Sequence, residues 1–138
     1  MVTQEQVAQM VEAARAAARN SYSPYSKFRV GAAVLTDDGK IIGGCNVENA
    51  SYGLTNCAER TAVFKAVTEG ARNIIAVVVY TPTATATTPC GACRQVLNEF
   101  GPTAHVICVC DSDDKVAITV DELLPGAFGP RNLASANS

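Results

Sequence analysis

Two short stretches of this 138-residue chain hold residues whose types and spacing could do chemistry: Cys57-Ala58-Glu59 and Pro89-Cys90-Gly91-Ala92-Cys93. Cys90 and Cys93 stand three apart, which on a helix puts both thiols on one face, close enough to grip one ion. Cys57 raises the count to three sulfurs. A structural zinc takes four protein ligands, whereas a catalytic zinc takes three and leaves a coordination position for water. The count therefore predicts a catalytic zinc centre with a place for water. Glu59, near the metal but not bound to it, could take a proton from water and return it to a substrate atom. Three thiolates outweigh the charge of one Zn²⁺, and the excess makes a bound water harder to deprotonate. Arg60 is the candidate to offset it, by donating from its guanidinium to the sulfur of Cys57 or Cys90.

The elements that must position these residues follow from periodicity and turn chemistry. Thr3 with Gln6 makes a capping box, and Val7, Met10, Val11, Ala14 and Ala18 continue at helical spacing to about Asn20. A turn-rich link, Ser21 to Ser26, leads to β-prone runs at Phe28–Thr36 and Lys40–Val47, flanking the hairpin signal Asp37-Asp38-Gly39. A second helix is expected with Asn56 as N-cap and its end near Gly70. A third is expected with Thr88 as N-cap, Pro89 at its first position and a stop at Gly101-Pro102. Both chemical motifs then lie at helix amino ends, where orphan N–H groups and the positive dipole end favour thiolate.

Ile74–Tyr80 reads as a buried strand, the Thr/Ala/Pro stretch 81–89 as a loop, and His105–Cys110 and Val116–Thr119 as short strands. The link between the last two strands is too short for a parallel crossover, so they must be antiparallel. A short helical turn is expected around Asp121–Leu124. The order predicts an α/β fold, a three-layer α/β/α sandwich with a mixed five-stranded sheet, in a single domain over 1–138.

Composition narrows the partners. Hydrophobic residues make 48% and charged residues 17%, and the net charge is −2, so no basic field exists to collect nucleic acid. The longest apolar stretch is far short of the ~20 residues a membrane helix needs, and no signal peptide is readable at the N-terminus. These readings place the protein in the cytoplasm. Six cysteines in a cytosolic chain with its own core point to metal or redox chemistry before disulfides.

On the Cys-Ala-Glu and Pro-Cys-x-x-Cys motifs the sequence resembles the cytidine deaminases of the short, homotetrameric, three-cysteine kind. The resemblance extends from Tyr22-Ser23-Pro24-Tyr25-Ser26 and Val30-Gly31-Ala32-Ala33 through Cys93-Arg94-Gln95-Val96 to Glu122-Leu123-Leu124-Pro125. It implies zinc held by Cys57, Cys90 and Cys93, and hydrolysis at C4 of cytosine with Glu59 carrying protons to N3 and then to the leaving amine. It further implies that Asn46 and Glu48 bind the sugar hydroxyls and that Phe28 packs on the pyrimidine. Asn46 and Glu48, two apart, would share one face of a strand. By the same likeness, the N–H of Ala58 and the carbonyl of Thr88 face the attacking oxygen and the leaving amine. Ala50, Tyr52 and Phe128 would reach a neighbouring subunit's pocket. Arg29 departs from the family, many of whose members carry proline there.

Other readings exist for the same residues. Cys90-Gly91-Ala92-Cys93 could be the dithiol of an oxidoreductase, which would leave Cys57 and Glu59 idle. Glu59 could simply close a capping box with Asn56. A structural zinc would need a fourth ligand from Cys45, His105, Cys108 or Cys110, each of which lies in a strand and reads as core or sheet surface. A deaminase acting on a modified or antibiotic cytosine nucleoside is a variant of the main reading.

Overall fold

The structure, a computed structural model, describes residues 2–136. The single-domain reading also takes in Met1, Asn137 and Ser138, which lie outside the described residues. Helix α1, Gln4–Ala18, opens on the expected capping box, with Thr3 Oγ1 accepting from the Gln6 N–H and Gln6 reaching back to the Thr3 N–H. Strands β1 (Gly31–Thr36) and β2 (Ile41–Cys45) form an antiparallel hairpin. Helix α2 (Ala58–Thr68), β3 (Ile74–Tyr80), α3 (Gly91–Phe100), β4 (His105–Val109) and β5 (Lys115–Thr119) follow. Two short helices, α4 (Val120–Leu123) and α5 (Pro130–Ala136), end the described chain. No helix among the described residues is long and apolar enough to cross a membrane.

The sheet order is β2-β1-β3-β4-β5, with β3 and β4 parallel and the other neighbours antiparallel. Because side chains alternate across a strand, β1 and β3 feed two cores. Ala33, Leu35, Ala76 and Val78 pack with Met10 and Ala14 of α1 on one face. Ala32, Val34, Val77 and Val79 pack with Ala62, Val63, Ala66 and Leu97 of α2 and α3 on the other. The layers are α1, the sheet, and α2 with α3.

Two glycines set the spacing of those layers. A Cβ on Gly31 would stand 1.8 Å from the Ala14 carbonyl oxygen of α1, and one on Gly44 would stand 2.5 Å from the Ala62 nitrogen of α2. Both helices therefore lie against bare backbone, which brings the first turn of α2 close to the sheet.

Several boundaries differ from expectation. β1 begins at Gly31 and not Phe28, because residues 28–30 pair with a side chain: Asn46 Nδ2 donates to the Phe28 carbonyl at 2.7 Å, and the Val30 N–H donates to Asn46 Oδ1 at 3.0 Å. β2 ends at Cys45, two residues early. A 3₁₀ turn at Tyr52–Leu54 and helix α5 were not anticipated.

Candidate metal centre

Both sulfur-bearing helices start one or two residues later than the sequence suggests. The N-cap of α2 is Cys57 and that of α3 is Cys90, and neither helix has a side-chain cap. Asn56 cannot cap α2 because its amide donates to Thr61 Oγ1 at 3.0 Å while its backbone pairs with Val47 in both directions. Thr88 cannot cap α3 because its hydroxyl accepts from Arg94. No side-chain cap therefore takes up the first N–H groups of either helix.

The Sγ atoms of Cys57, Cys90 and Cys93 all lie within 4.8 Å of one another, with Cys57 to Cys90 at 3.9 Å and Cys90 to Cys93 at 3.4 Å. Tetrahedral sulfur ligands about 2.3 Å from zinc stand about 3.8 Å apart, so the cluster fits a zinc ion with little adjustment. Among the described residues this is the only group of three or more metal-ligating side chains so placed. Cys45, His105, Cys108 and Cys110 are not part of it, and among the described residues no fourth protein ligand joins the cluster. Cys93 is buried and Cys90 exposed, so the cluster opens to solvent on one side. The Cys90–Cys93 pair shares its sulfur cluster with Cys57, which a dithiol redox site would have no need of.

Charge is arranged around the cluster. A hydrogen bond from Cys93, together with Arg60 at 3.3 Å from Nη2 to Sγ, brings the Cys57 thiol down to about 5. The same hydrogen bond and burial hold Cys93 protonated in the absence of a metal. Arg60 reaches the sulfur through Nη2, while its Nε is buried with no hydrogen-bond partner. Glu59, in the first turn of α2, is 6% exposed. Burial pushes its carboxyl up to about 7, and the Cys57 charge adds to the effect, against its own backbone N–H and Arg60. A carboxyl in that range can give and take a proton near neutral pH. It makes no capping bond with Asn56.

The remaining candidates fall into two groups. Asn46 and Glu48 lie beyond the end of β2, on either side of Val47, which bridges Tyr22 and Asn56. Both side chains reach toward the 21–30 segment. Asn46 is buried and ties Phe28, Val30 and Ser21. Glu48 accepts from the N–H groups of Tyr25 and Ser26, at 3.0 and 3.1 Å, and from the Ser26 hydroxyl. Phe28 is held by its N–H to Ser26 Oγ at 3.0 Å and presents its ring at the surface. Ala58 is fully buried and directly follows Cys57, and Thr88 lies two residues before Cys90. Ala50, Tyr52 and Phe128 are exposed, Tyr52 at 75% and Phe128 at 59%, with Tyr25 edge-on to Tyr52 at 6.0 Å. Gln95 Nε2 donates to the Phe128 carbonyl at 2.8 Å. Ser26, Gln95 and Arg94 were given no role from sequence, because Ser26 meets Glu48 only across 22 positions and Gln95 and Arg94 reach mainly backbone carbonyls, which have no signature of their own.

Comparison with known proteins agrees with this geometry. The sequence model of the cytidine and deoxycytidylate deaminase zinc-binding region matches residues 4–110. The chain is 52% identical to a cytidine deaminase of Halalkalibacterium halodurans over 86% of its length and 91% of the relative's. It is 46% identical to one of Sporosarcina psychrophila over 94% and 96%. Its fold superposes on a crystal structure of cytidine deaminase from Burkholderia pseudomallei with a TM-score of 0.85 and 48% identity, covering 92% of this chain and all of that one. Sulfur cluster, sheet order and sequence likeness agree that this chain belongs to the cytidine and deoxycytidylate deaminase family.

Proposed function

We propose that this chain is a zinc-dependent hydrolase that converts cytidine, and deoxycytidine, to the corresponding uracil nucleoside and ammonia in pyrimidine salvage. The observation that carries the reading is the three-sulfur cluster at two uncapped helix starts with a buried carboxyl, Glu59, in the same helical turn. Cys57, Cys90 and Cys93 hold the metal, one per subunit. Zinc so bound supplies Lewis acidity that makes a water nucleophilic near neutral pH.

Glu59 would take a proton from the attacking water and deliver it to N3 of cytosine as the C4–O bond forms, then carry the proton of the new C4 hydroxyl to the exocyclic nitrogen, so that the C4–N bond breaks, a C4 carbonyl forms and ammonia departs. Its burial supports this role, because a desolvated carboxyl exchanges protons near pH 7 where an exposed one stays ionised. Arg60 withdraws charge from the Cys57 sulfur. The Ala58 N–H faces the attacking oxygen and the Thr88 carbonyl the departing amine. Phe28 packs on the base, while Asn46 and Glu48 bind the sugar hydroxyls. Their hold on the 21–30 segment fixes Phe28 before substrate arrives.

The assembly is a homotetramer in which Ala50, Tyr52 and Phe128 complete a neighbour's pocket. Support comes from the large apolar side chains left exposed, among them Tyr22, Tyr52, Leu54, Phe128 and Leu133. The free cysteines suit a reducing cytoplasm. The test is the ultraviolet absorbance loss on incubating purified protein with cytidine, deoxycytidine, cytosine and cytidine monophosphate, before and after chelation. Loss with the two nucleosides, abolished by chelation and restored by zinc, is expected. Activity on free cytosine alone would overturn the sugar assignments, and chelator-resistant activity would overturn the metal.

A further inference from the structure

We infer that Arg94 is a positioning residue that sets the bite between Cys90 and Cys93, an inference that rests on the zinc reading above. Cys93 points inward from α3 and is fully buried, while its neighbour Arg94 reaches back over the start of the same helix. Its guanidinium makes three directed bonds: Nε to the Pro89 carbonyl at 2.8 Å, Nη2 to Thr88 Oγ1 at 3.0 Å and Nη1 to the Leu123 carbonyl at 2.9 Å. Pro89 and Thr88 are the two residues that present Cys90.

Cys90 needs such a clamp. As an N-cap it has extended torsions, φ −66° and ψ 169°; its carbonyl accepts the first helical hydrogen bond from the Arg94 N–H at 3.0 Å, but its helix has no side-chain cap, so its N-terminal side is not fixed by the helix. The loop that approaches it is tied at its far end to the β4–β5 turn, by the Asp111 N–H to the Thr83 carbonyl at 2.9 Å and the Ala86 N–H to Asp114 Oδ2 at 2.8 Å. Between Ala86 and Cys90 the buried ring of Pro89 packs the loop down, the fork of Arg94 supplies its side-chain hydrogen bonds, and through Leu123 that fork also transmits the position of α4. A planar five-donor fork can satisfy three acceptors in different directions, which a lysine ammonium on its flexible stem cannot do in the same geometry. One helix thus carries one sulfur directly and the other through Arg94.

The test compares Arg94→Gln and Arg94→Lys with the unaltered zinc-loaded protein. It follows zinc release to a chromogenic chelator, kcat and KM for cytidine, and thermal unfolding. Loss of a residue that orients metal ligands costs about 10–100-fold in metal affinity or activity. Arg94→Gln is therefore expected to release zinc at least about tenfold faster and to lose kcat in that range, with KM changed by less than about threefold and Arg94→Lys lying between. Unchanged zinc release and kcat in Arg94→Gln would overturn the inference. So would a lower unfolding temperature with unchanged release well below it, which would make Arg94 a staple of the fold alone. If Arg94→Gln does not fold, release from Arg94→Lys at the unaltered rate overturns it. A protein that holds no zinc before any substitution would instead refute the metal reading, and that control separates the two failures.

Discussion

Glu59 and Glu48 are the same residue type in opposite surroundings, and their protonation differs accordingly. Burial carries Glu59 up to about 7, whereas the Ser26 hydroxyl, the largest influence on Glu48, holds that carboxyl below its ordinary 4.5. Replacing Glu59 by Gln keeps the shape and removes the proton carrier. Zinc content and nucleoside binding should persist while kcat falls by about 10²–10⁴, the span that positioned acid–base groups contribute. Near-normal turnover of Glu59→Gln with stoichiometric zinc would contradict the shuttle. For Glu48 the folded pKa is depressed, so its contribution to the 22–28 loop is present above the ordinary carboxylate value and is lost as pH falls through the folded one. Ser26→Ala should return the Glu48 titration toward 4.5, read by carboxyl NMR. An unmoved midpoint would mean that the backbone N–H groups of Tyr25 and Ser26 hold the carboxylate unaided.

At the scale of elements, close approach of helix to sheet decides where these residues stand. A Cβ on Gly44 meets only α2 backbone: Ala62 nitrogen at 2.5 Å, Ala62 Cα at 2.9 Å and the Ala58 carbonyl oxygen at 3.0 Å. No flexible side-chain end is available to yield, so Gly44→Ala must shift the first turn of α2, which carries Cys57 and Glu59. A cost of about 1–3 kcal/mol in thermal or denaturant unfolding is expected, with faster zinc loss. Gly43→Ala, whose Cβ meets the Ala13 carbonyl at 3.5 Å, should be tolerated. The unfolding midpoints of the two variants decide it, and equal effects would deny any special role to the α2 contact. These contacts also mark the limit of what the sequence discloses. The continuous apolar runs of β1 and β3, the Asp37-Asp38-Gly39 hairpin and the three sulfurs are local patterns, and each is legible. The helix starts were misread because Asn56 and Thr88 look like caps until their polar groups are seen to have other partners. Helix α5 had one readable sign, Pro130 at its first position, against a Gly- and Ser-rich background. The work of Arg94 left no trace, since its acceptors are two carbonyls and a hydroxyl, with the Leu123 carbonyl 29 positions away.

For the whole molecule, the question is whether a site is finished within one subunit. The described chain leaves Tyr52 and Phe128 standing at the surface, with the Phe128 carbonyl gripped by Gln95, so the aromatic is held firmly while its ring faces outward. If Phe128 serves a neighbour's pocket, two defective variants can repair one another. Phe128→Ala lacks the aromatic but keeps Glu59, and Glu59→Gln lacks the proton carrier but keeps the aromatic. In a mixed assembly a Phe128→Ala subunit beside a Glu59→Gln subunit would own one complete site, because the contributing residues come from different chains. Random assortment of equal amounts would make about a quarter of all sites complete. Co-expressed and co-purified subunits should then exceed the summed activity of the two separate variants, with the KM of the unaltered protein in the recovered fraction. Light scattering on the same sample would report the mass of the assembly. Activity no greater than that sum, in particles shown to contain both variants, would mean that each subunit works with its own residues and that the exposed Phe128 has a different partner.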